Sequence, residues 1–497
     1  MENKYLKSKE AEKLASGEEL SLGLNRVKDM KEYEYSARLD GVLPEGATLV
    51  LCHGYKYSYG KWLEVTDRVL KICSFTAWAD PQYRENVYEH GLEIKNYFKV
   101  NIVWDSKNKK KEISLFTDGG EYVMSTDRWS CCDGEIMMRA EGVDLYDAFL
   151  GFTSSAYSHD IWIIGASYLS LGDPARWPFY WYADGGAGPL LVGRGGMGAQ
   201  HGIEDFKDAL NYGTPKILVW DSVSGNNPDK DDVLSPLFYD NTLEMLKICK
   251  EKGIKVYVQT MPNCPIQTNM YKNDVILNRT LDFADCDYEV IDLARALGAR
   301  DEKNPSWFPN MLHTDNVHPT RLGGRASYLG IVADCPELIV GKACEVYSSF
   351  GGALKNIPSG EELILAAPEK YYEHTAITFR ADFEGELSGK ITVGSRNGAS
   401  VTIDKDTVKV YASIDDKAKL VFEAENPAIT EKLITLMIDV KDGQGSIAFT
   451  SLGDKTYEPA KLTLDKFVVP FAVDGEIFAE ADGQELNDAR IKLVTVE

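Results

Sequence analysis

The period of the hydrophobic pattern changes twice along this chain of 497 residues, and that narrows what it can fold into. Up to about residue 150, short runs alternate apolar and polar residues between Gly, Asn and Asp. Examples are Arg68-Val69-Leu70-Lys71-Ile72, Lys99-Val100-Asn101-Ile102-Val103 and Glu112-Ile113-Ser114-Leu115-Phe116. A period of two with turn residues between runs buries one face of each strand, the pattern of an antiparallel sandwich. From about 157 to 338 the runs become continuously apolar, as in Ile161-Trp162-Ile163-Ile164, Lys216-Ile217-Leu218-Val219-Trp220 and Ile254-Lys255-Val256-Tyr257-Val258. Between them lie helical stretches such as Asn241 to Lys252, where Leu243, Met245, Leu246 and Cys249 form an apolar stripe that stops at Gly253. Buried strands alternating with helices imply a parallel sheet covered on both faces. From about 345 to the end the short alternation returns. The expected order is a β-sandwich over 1–150, an α/β domain over 157–338 and a second β-sandwich over 345–497.

The two outer regions also resemble each other. Tyr35-Ser36-Ala37-Arg38-Leu39-Asp40-Gly41-Val42-Leu43 aligns with Phe379-Arg380-Ala381-Asp382-Phe383-Glu384-Gly385-Glu386-Leu387, with Ala, Gly and Leu in register. Val69 to Ile72 answers Val408 to Tyr411, and Ile113 to Thr117 answers Ile447 to Ser451. Any two sandwiches share alternation and glycines. Three blocks in the same order favour duplication of one jelly-roll type.

Composition excludes several classes of function. A formal net charge of −23 repels phosphate backbones and anionic lipid surfaces, so neither nucleic acid nor membrane is expected as a partner. No run of about 18 apolar residues exists to span a bilayer. The N-terminus from Met1 to Glu10 is charged and lacks the apolar core of a secretory signal, which implies a cytoplasmic protein unless a signal was removed. The nine cysteines are scattered, with no CxxC and no Cys/His spacing typical of zinc. Reduced, mostly buried thiols are the expectation, with the vicinal pair Cys131-Cys132 as the one local curiosity. A small-molecule or oligosaccharide ester suits such a chain as substrate, and no cofactor or metal is implied.

Four blocks in the central region carry chemistry. The strand Ile161 to Ile164 ends in Gly165-Ala166-Ser167, which places a serine at the carboxyl edge of the sheet, where α/β folds bind their ligands. Alone, this is also an ordinary turn serine. Next comes Gly193-Arg194-Gly195-Gly196-Met197-Gly198, whose glycines let backbone N–H groups approach an oxyanion. Phosphate binding is disfavoured there because no Gly-Lys-Ser/Thr follows. The strand Ile217 to Trp220 then leads to Gly225-Asn226-Asn227-Pro228, with a side-chain amide as a further donor. Last is Asp315-Asn316-Val317-His318-Pro319, where acid and imidazole stand three positions apart at a helix entrance. The carboxylate can fix the imidazole tautomer and leave the other nitrogen free to accept a serine proton. Asp315 as a plain helix N-cap is the alternative.

In this order, the blocks resemble the signature of SGNH (GDSL-like) hydrolases over roughly 158–338. The resemblance implies a flavodoxin-like three-layer α/β domain and ester hydrolysis through an acyl-enzyme. It makes Ser167 the nucleophile, His318 the base and Asp315 its orienter. The Ser167 N–H, Gly198 and Asn227 become oxyanion donors, with Gly195 or Gly196 as alternatives to Gly198. Two positions depart from the family: Gly-Asp-Ser is here Gly-Ala-Ser, and Gly-x-Asn-Asp is Gly-Asn-Asn-Pro. Downstream of the serine, Arg176 and Trp177 are candidates to wall a substrate pocket, or else belong to a core helix face. The outer regions resemble the concanavalin-like and carbohydrate-binding sandwiches that accompany sugar-active enzymes, which points to O-acetyl groups of a carbohydrate. A lipid or thioester acylhydrolase and a catalytically silent glycan-binding protein are the rival readings.

Overall fold

The structure, a computed structural model, describes residues 5–496 except 26–30, 57–58, 77–81, 106–109, 127–133, 170–174, 184–189, 194–195, 222–225, 230–235, 263, 266–287, 299–306, 308–309, 349–354, 366–373, 415–416, 427–432, 443 and 452–472. The chain is mostly β-sheet and divides into two compact units. The first comprises Met1–His159 with Leu190–Arg194 and Glu204–Pro215; the second comprises Asp160–Pro189, Gly195–Ile203 and Lys216–Glu497. Most of the central α/β elements and the C-terminal strands, which differ in hydrophobic period, therefore belong to one unit.

Two antiparallel sheets make up most of the first unit. One runs β1 (Lys7–Leu14), β12 (Leu145–Ser154), β3 (Lys31–Val42), β8 (Lys95–Asp105), β9 (Lys110–Thr117) and β10 (Gly120–Thr126). The other runs β2 (Glu19–Asn25), β11 (Gly134–Glu141), β4 (Thr48–Lys56), β5 (Tyr59–Val65), β6 (Val69–Thr76) and β7 (Gln82–Glu89). Alternation decides which residues are inside: Tyr33, Tyr35, Ala37 and Leu39 of β3 are buried, while Arg38 between them and Glu32 and Asp40 on either side are exposed. The unit also includes β14 (Leu190–Gly193).

In the second unit, β13 (Ile161–Gly165), β15 (Ile217–Asp221), β16 (Lys255–Gln259) and β17 (Tyr288–Ile291) pair in parallel in that order. Every residue of β13 and β15 is buried, as continuous apolar runs require. Among the described residues the helices are α1 (Trp177–Ala183), α2 (Ala199–Ala209), α3 (Pro236–Lys252), α4 (Leu293–Ala296), α5 (Arg321–Asp334) and α6 (Glu337–Val340), with α2 from Glu204 onward belonging to the first unit. Helix α3 begins at Pro236, ahead of the apolar stripe, because proline suits a first turn whose N–H needs no partner. It stops at Gly253, which takes the left-handed conformation at φ 67°.

The remaining strands of this unit form a sandwich around one apolar core. One sheet runs β18 (Glu345–Ser348), β29 (Leu486–Val496), β21 (His374–Asp382), β26 (Leu433–Lys441) and β27 (Gln444–Ser451), with β19 (Lys355–Ile357) also pairing with β29. The other runs β20 (Glu362–Leu365), β28 (Ile477–Asp482), β22 (Lys390–Ser395), β23 (Ser400–Asp404), β24 (Thr407–Ile414) and β25 (Lys417–Glu425). Side chains of both sheets, such as Ile377, Phe379, Ile438, Ile391, Val401 and Val410, share the core.

Strand for strand, the two sandwiches have the same order. β18 and β19 stand where β1 does, β20 to β27 repeat β2 to β9, and β28 and β29 repeat β11 and β12. A counterpart of β10 would fall within 452–472, outside the described residues. The three repeated sequence blocks lie on matching elements: β3 with β21, β6 with β24, and β9 with β27. Leu39 and Phe383 are both buried, Gly41 and Gly385 both have positive φ (90° and 71°), and Leu43 and Leu387 beyond them are buried. Shared β texture alone would not reproduce a strand order. The topology is duplicated.

Within the second unit, the sandwich is joined to the α/β layer through buried charge. Thr378 and Arg380 of β21 alternate with the core residues Ile377, Phe379 and Ala381, so they point away from the sandwich core and toward α5. The Arg380 guanidinium donates to Asp334 Oδ2 at 2.7 Å, and Arg490 donates to Asp334 Oδ1 at 3.0 Å. Lys492 donates to the Asp334 carbonyl at 2.7 Å, and Arg295 of α4 to Asp382 at 2.8 Å.

Of the described cysteines, Cys52, Cys73, Cys335 and Cys344 are free thiols, and the Cys249 thiol donates to Met245 Sδ at 3.7 Å. Cys131 and Cys132 lie outside the described residues. No described helix is long and apolar enough to cross a membrane.

Candidate active site

Strand β13 delivers Ser167 two residues past its end, as the first residue of a 3-10 turn, Ser167–Leu169. An N–H at the start of such a turn has no acceptor within it and is available to an incoming anion. The hydroxyl Oγ lies 2.7 Å from His318 Nε2, and His318 Nδ1 lies 2.8 Å from Asp315 Oδ2. Ser167 is thus brought into a continuous hydrogen-bonded relay with residues 148 and 151 positions away, and Arg176 and Tyr168 donate to backbone carbonyls beside it, those of Ser167 and Val317.

The acid–base half sits on a loop held at both ends. His313 N–H donates to the His318 carbonyl and Thr320 N–H to the Met311 carbonyl, both at 2.8 Å. Asn316 makes the reversal with φ 59°, a conformation asparagine tolerates better than most residues. Asp315 Oδ1 accepts the N–H groups of Val317 and His318, both at 2.9 Å, which leaves Oδ2 for the imidazole. The N-cap of α5 is Thr320, which accepts from Gly323 N. Asp315 is therefore not that helix's cap, and the N-cap alternative for it is set aside.

Electrostatics suit the base. Burial lowers the His318 pKa; Asp315 works against this, while the Arg176 and His313 charges add to it, and the net shift is downward. Asp315 is 42% exposed and His318 24%. What burial Asp315 has would raise its pKa, but the His318 and Val317 N–H groups and the imidazole outweigh this and hold it at about 2. At neutral pH the pair is a carboxylate and a neutral imidazole, with Nδ1 donating to Asp315 and Nε2 free to accept from Ser167.

Gly198 and Asn227 also meet. Asn227 Oδ1 accepts the Ala199 N–H at 2.9 Å, capping α2, and a Cβ on Gly198 would stand 2.5 Å from that oxygen. Only glycine permits this approach. The cap fixes the amide orientation, since the reversed one would set two donors face to face. Asn227 Nδ2 is then left buried, with no acceptor among the described residues. Asn226 Nδ2 donates to the Met197 carbonyl at 3.0 Å and ties the two turns together. Parallel pairing of β13 with β15 puts the Ser167 turn and the Asn227 turn, which follow those strands, at the same carboxyl edge of the sheet. Gly195 lies outside the described residues, while Gly196 has φ 73° and serves the turn.

The two pocket candidates separate. Trp177 is 1% exposed, inside the unit at the start of α1, so the expectation that it walls a pocket is corrected: its ring is core. A large ring on a helix only seven residues long anchors that helix best by burial. Arg176 Nε donates to the Ser167 carbonyl at 3.0 Å, bracing the backbone of the serine turn.

Two neighbours went unnoticed in the sequence. Tyr168 donates its hydroxyl to the Val317 carbonyl at 2.9 Å, linking the serine turn to the histidine loop. His313 Nδ1 accepts the Asp315 N–H at 3.2 Å. Nothing in local spacing marks either one, since each acts across a tertiary contact or a tight turn. Among the described residues, no group of three or more His, Cys, Asp or Glu is clustered to hold a metal.

No family model matches the chain, and no curated protein matches it. Solved structures align weakly with parts of it. A candidate acylhydrolase from Bacteroides fragilis is 15% identical over 36% of this chain and 85% of its own, with a TM-score of 0.28. The YXIM protein of Bacillus subtilis is 13% identical over 64% and 79%, with a TM-score of 0.31. Sheep galectin-11 is 9% identical over 27% and 98%, with a TM-score of 0.20. Scores this low fix neither family nor activity, and the chain's own geometry has to carry the functional reading.

Proposed function

We propose that this chain is a serine hydrolase of the SGNH type that cleaves esters through an acyl-enzyme. The observation that carries this is the relay Ser167–His318–Asp315, with links of 2.7 and 2.8 Å. Ser167 Oγ attacks the ester carbonyl as its proton passes to His318 Nε2. The Ser167 N–H, Gly198 N–H and Asn227 amide receive the oxyanion. His318 returns the proton to the leaving alcohol, and water repeats the sequence to release the acid. The parallel sheet with its ligand edge supports a flavodoxin-like α/β domain, on which the four sequence blocks fall in family order.

A fluorophosphonate should label Ser167 in the wild type and no residue in Ser167→Ala. Labelling that persists in the variant would falsify the assignment. For the substrate we favour O-acetyl groups on a carbohydrate, by analogy with sandwiches beside sugar-active domains. Acetate release from acetylated oligosaccharides tests it. A preference for long acyl chains across a p-nitrophenyl ester series would favour a lipid hydrolase instead.

The oxyanion assignment has its own test. Asn227→Asp keeps an oxygen to cap Ala199, at a helix N-terminus that favours negative charge, but removes the amide donor. The kcat should drop by about 100- to 1000-fold with little change in melting temperature. An unchanged kcat would remove Asn227 from the site.

The pH dependence follows from the His318 shift. Activity needs neutral imidazole, so kcat/KM should be level above neutrality and fall with acid, with its midpoint below the ordinary histidine value of 6.5. A profile flat down to pH 4 would point to a different base.

A further inference from the structure

The residue before the nucleophile is alanine where the resembled family has an acid, yet a carboxylate stands beside it. Asp221, the last residue of β15, is buried against the end of β13. Its Oδ2 accepts the Ala166 N–H at 3.4 Å, and its Oδ1 accepts from Gln259 Nε2 at 3.2 Å. The contact is tight: a Cβ on Gly165 would stand 2.5 Å from Asp221 Cβ and 2.6 Å from Oδ2. Glycine at 165 and aspartate at 221 therefore fit each other as a pair. An aspartate ending an otherwise apolar strand is costly to bury unless its oxygens are used.

We infer that Asp221 is the positioning residue of the nucleophile turn, holding Gly165-Ala166-Ser167 so that the Ser167 hydroxyl meets His318 and its N–H faces the oxyanion. The inference rests on the hydrolase reading for its catalytic consequence. Asp221 touches no reacting atom. It grips the backbone one residue before Ser167, and Gln259 from the next strand sets its carboxylate plane. The strand end that leads to Asn227 thus also steadies Ser167, so both sides of the oxyanion site share one support. Misplacing a nucleophile by about 1 Å is enough to cost about a hundredfold in rate.

The test compares Asp221→Ala, Asp221→Asn and Gly165→Ala in the full chain with p-nitrophenyl acetate. Asparagine keeps an oxygen for Ala166, and Gln259 can turn its own oxygen toward the new amide. Alanine at 165 pushes the carboxylate away without removing a buried acceptor. Asp221→Ala and Gly165→Ala should lose about ten- to hundredfold in kcat with KM within twofold, and Asp221→Asn should restore most of it. A kcat within twofold of wild type in either alanine variant overturns the inference, as does a loss in Asp221→Asn equal to that in Asp221→Ala.

Amide hydrogen exchange over Ile161–Leu169 reads the same hold without substrate. Exchange should be faster in Asp221→Ala than in wild type or Asp221→Asn, and equal exchange in all three overturns the inference. A wild type that neither hydrolyses esters nor reacts with fluorophosphonate, but whose exchange responds as expected, sinks the hydrolase reading while supporting the hold on the turn.

Discussion

Ser167→Ala should lower kcat for ester hydrolysis by about a millionfold while leaving the fold and the KM nearly unchanged. On the proposed mechanism Ser167 is the one group whose removal deletes the covalent route, and comparable triads lose about that factor. The Ser167 side chain meets His318 and adds little to the core, so stability has no reason to change. His318→Ala should cost nearly as much, and the double variant hardly more than either single one, because base and nucleophile act as a unit. Asp315→Ala should cost less, since the carboxylate orients the imidazole and leaves the attacking atom in place. Steady-state rates with p-nitrophenyl acetate check all four. Additive losses in the double variant would mean the two residues work in separate steps, and the relay would have to be abandoned.

The largest expected effect on stability lies far from the nucleophile. Arg380→Ala should destabilise the second unit by about 3–5 kcal/mol, because it removes one partner of a buried ion pair and takes the charged donor from one oxygen of the other. Arg380 and Asp334 side chains are both 3% exposed and 2.7 Å apart. With Arg380 gone, Asp334 keeps Arg490, but one carboxylate oxygen loses its charged donor. Replacing both partners with apolar residues of similar size, Arg380→Met with Asp334→Leu, should cost less than Asp334→Leu alone, since that single change deprives both Arg380 and Arg490 of their carboxylate and the double variant only the more exposed Arg490. Urea unfolding of the single and double variants decides it. A single variant within about 1 kcal/mol of wild type would show that water reaches this junction and that the pair contributes little.

The sequence by itself determined where the strands lie and which way they face. A two-residue period admits one buried face, so Leu39 and Phe383 could be placed inward and the repeated blocks set in order from the pattern alone. Continuous apolar runs likewise located β13, β15 and β16, and the Asp315/His318 spacing survives folding because three positions on a tight loop bring the pair together. What the period could not express is a strand buried on both faces for different reasons. Thr378 and Arg380 read as the solvent face of β21, and only the docking of α5 turns that face into an interior of paired charges. For the same reason the C-terminal sandwich and the α/β layer are one unit, although their hydrophobic patterns change between them. The partners of Ser167 are also tertiary. Trp177 looked as fit for a pocket as Arg176, and burial alone separates them. Local spacing gives neither Asp221 nor Tyr168 a part in the site. Their contacts depend on which strands and loops become adjacent in space, and parallel pairing with long crossovers makes neighbours of residues whose sequence separation carries no such information.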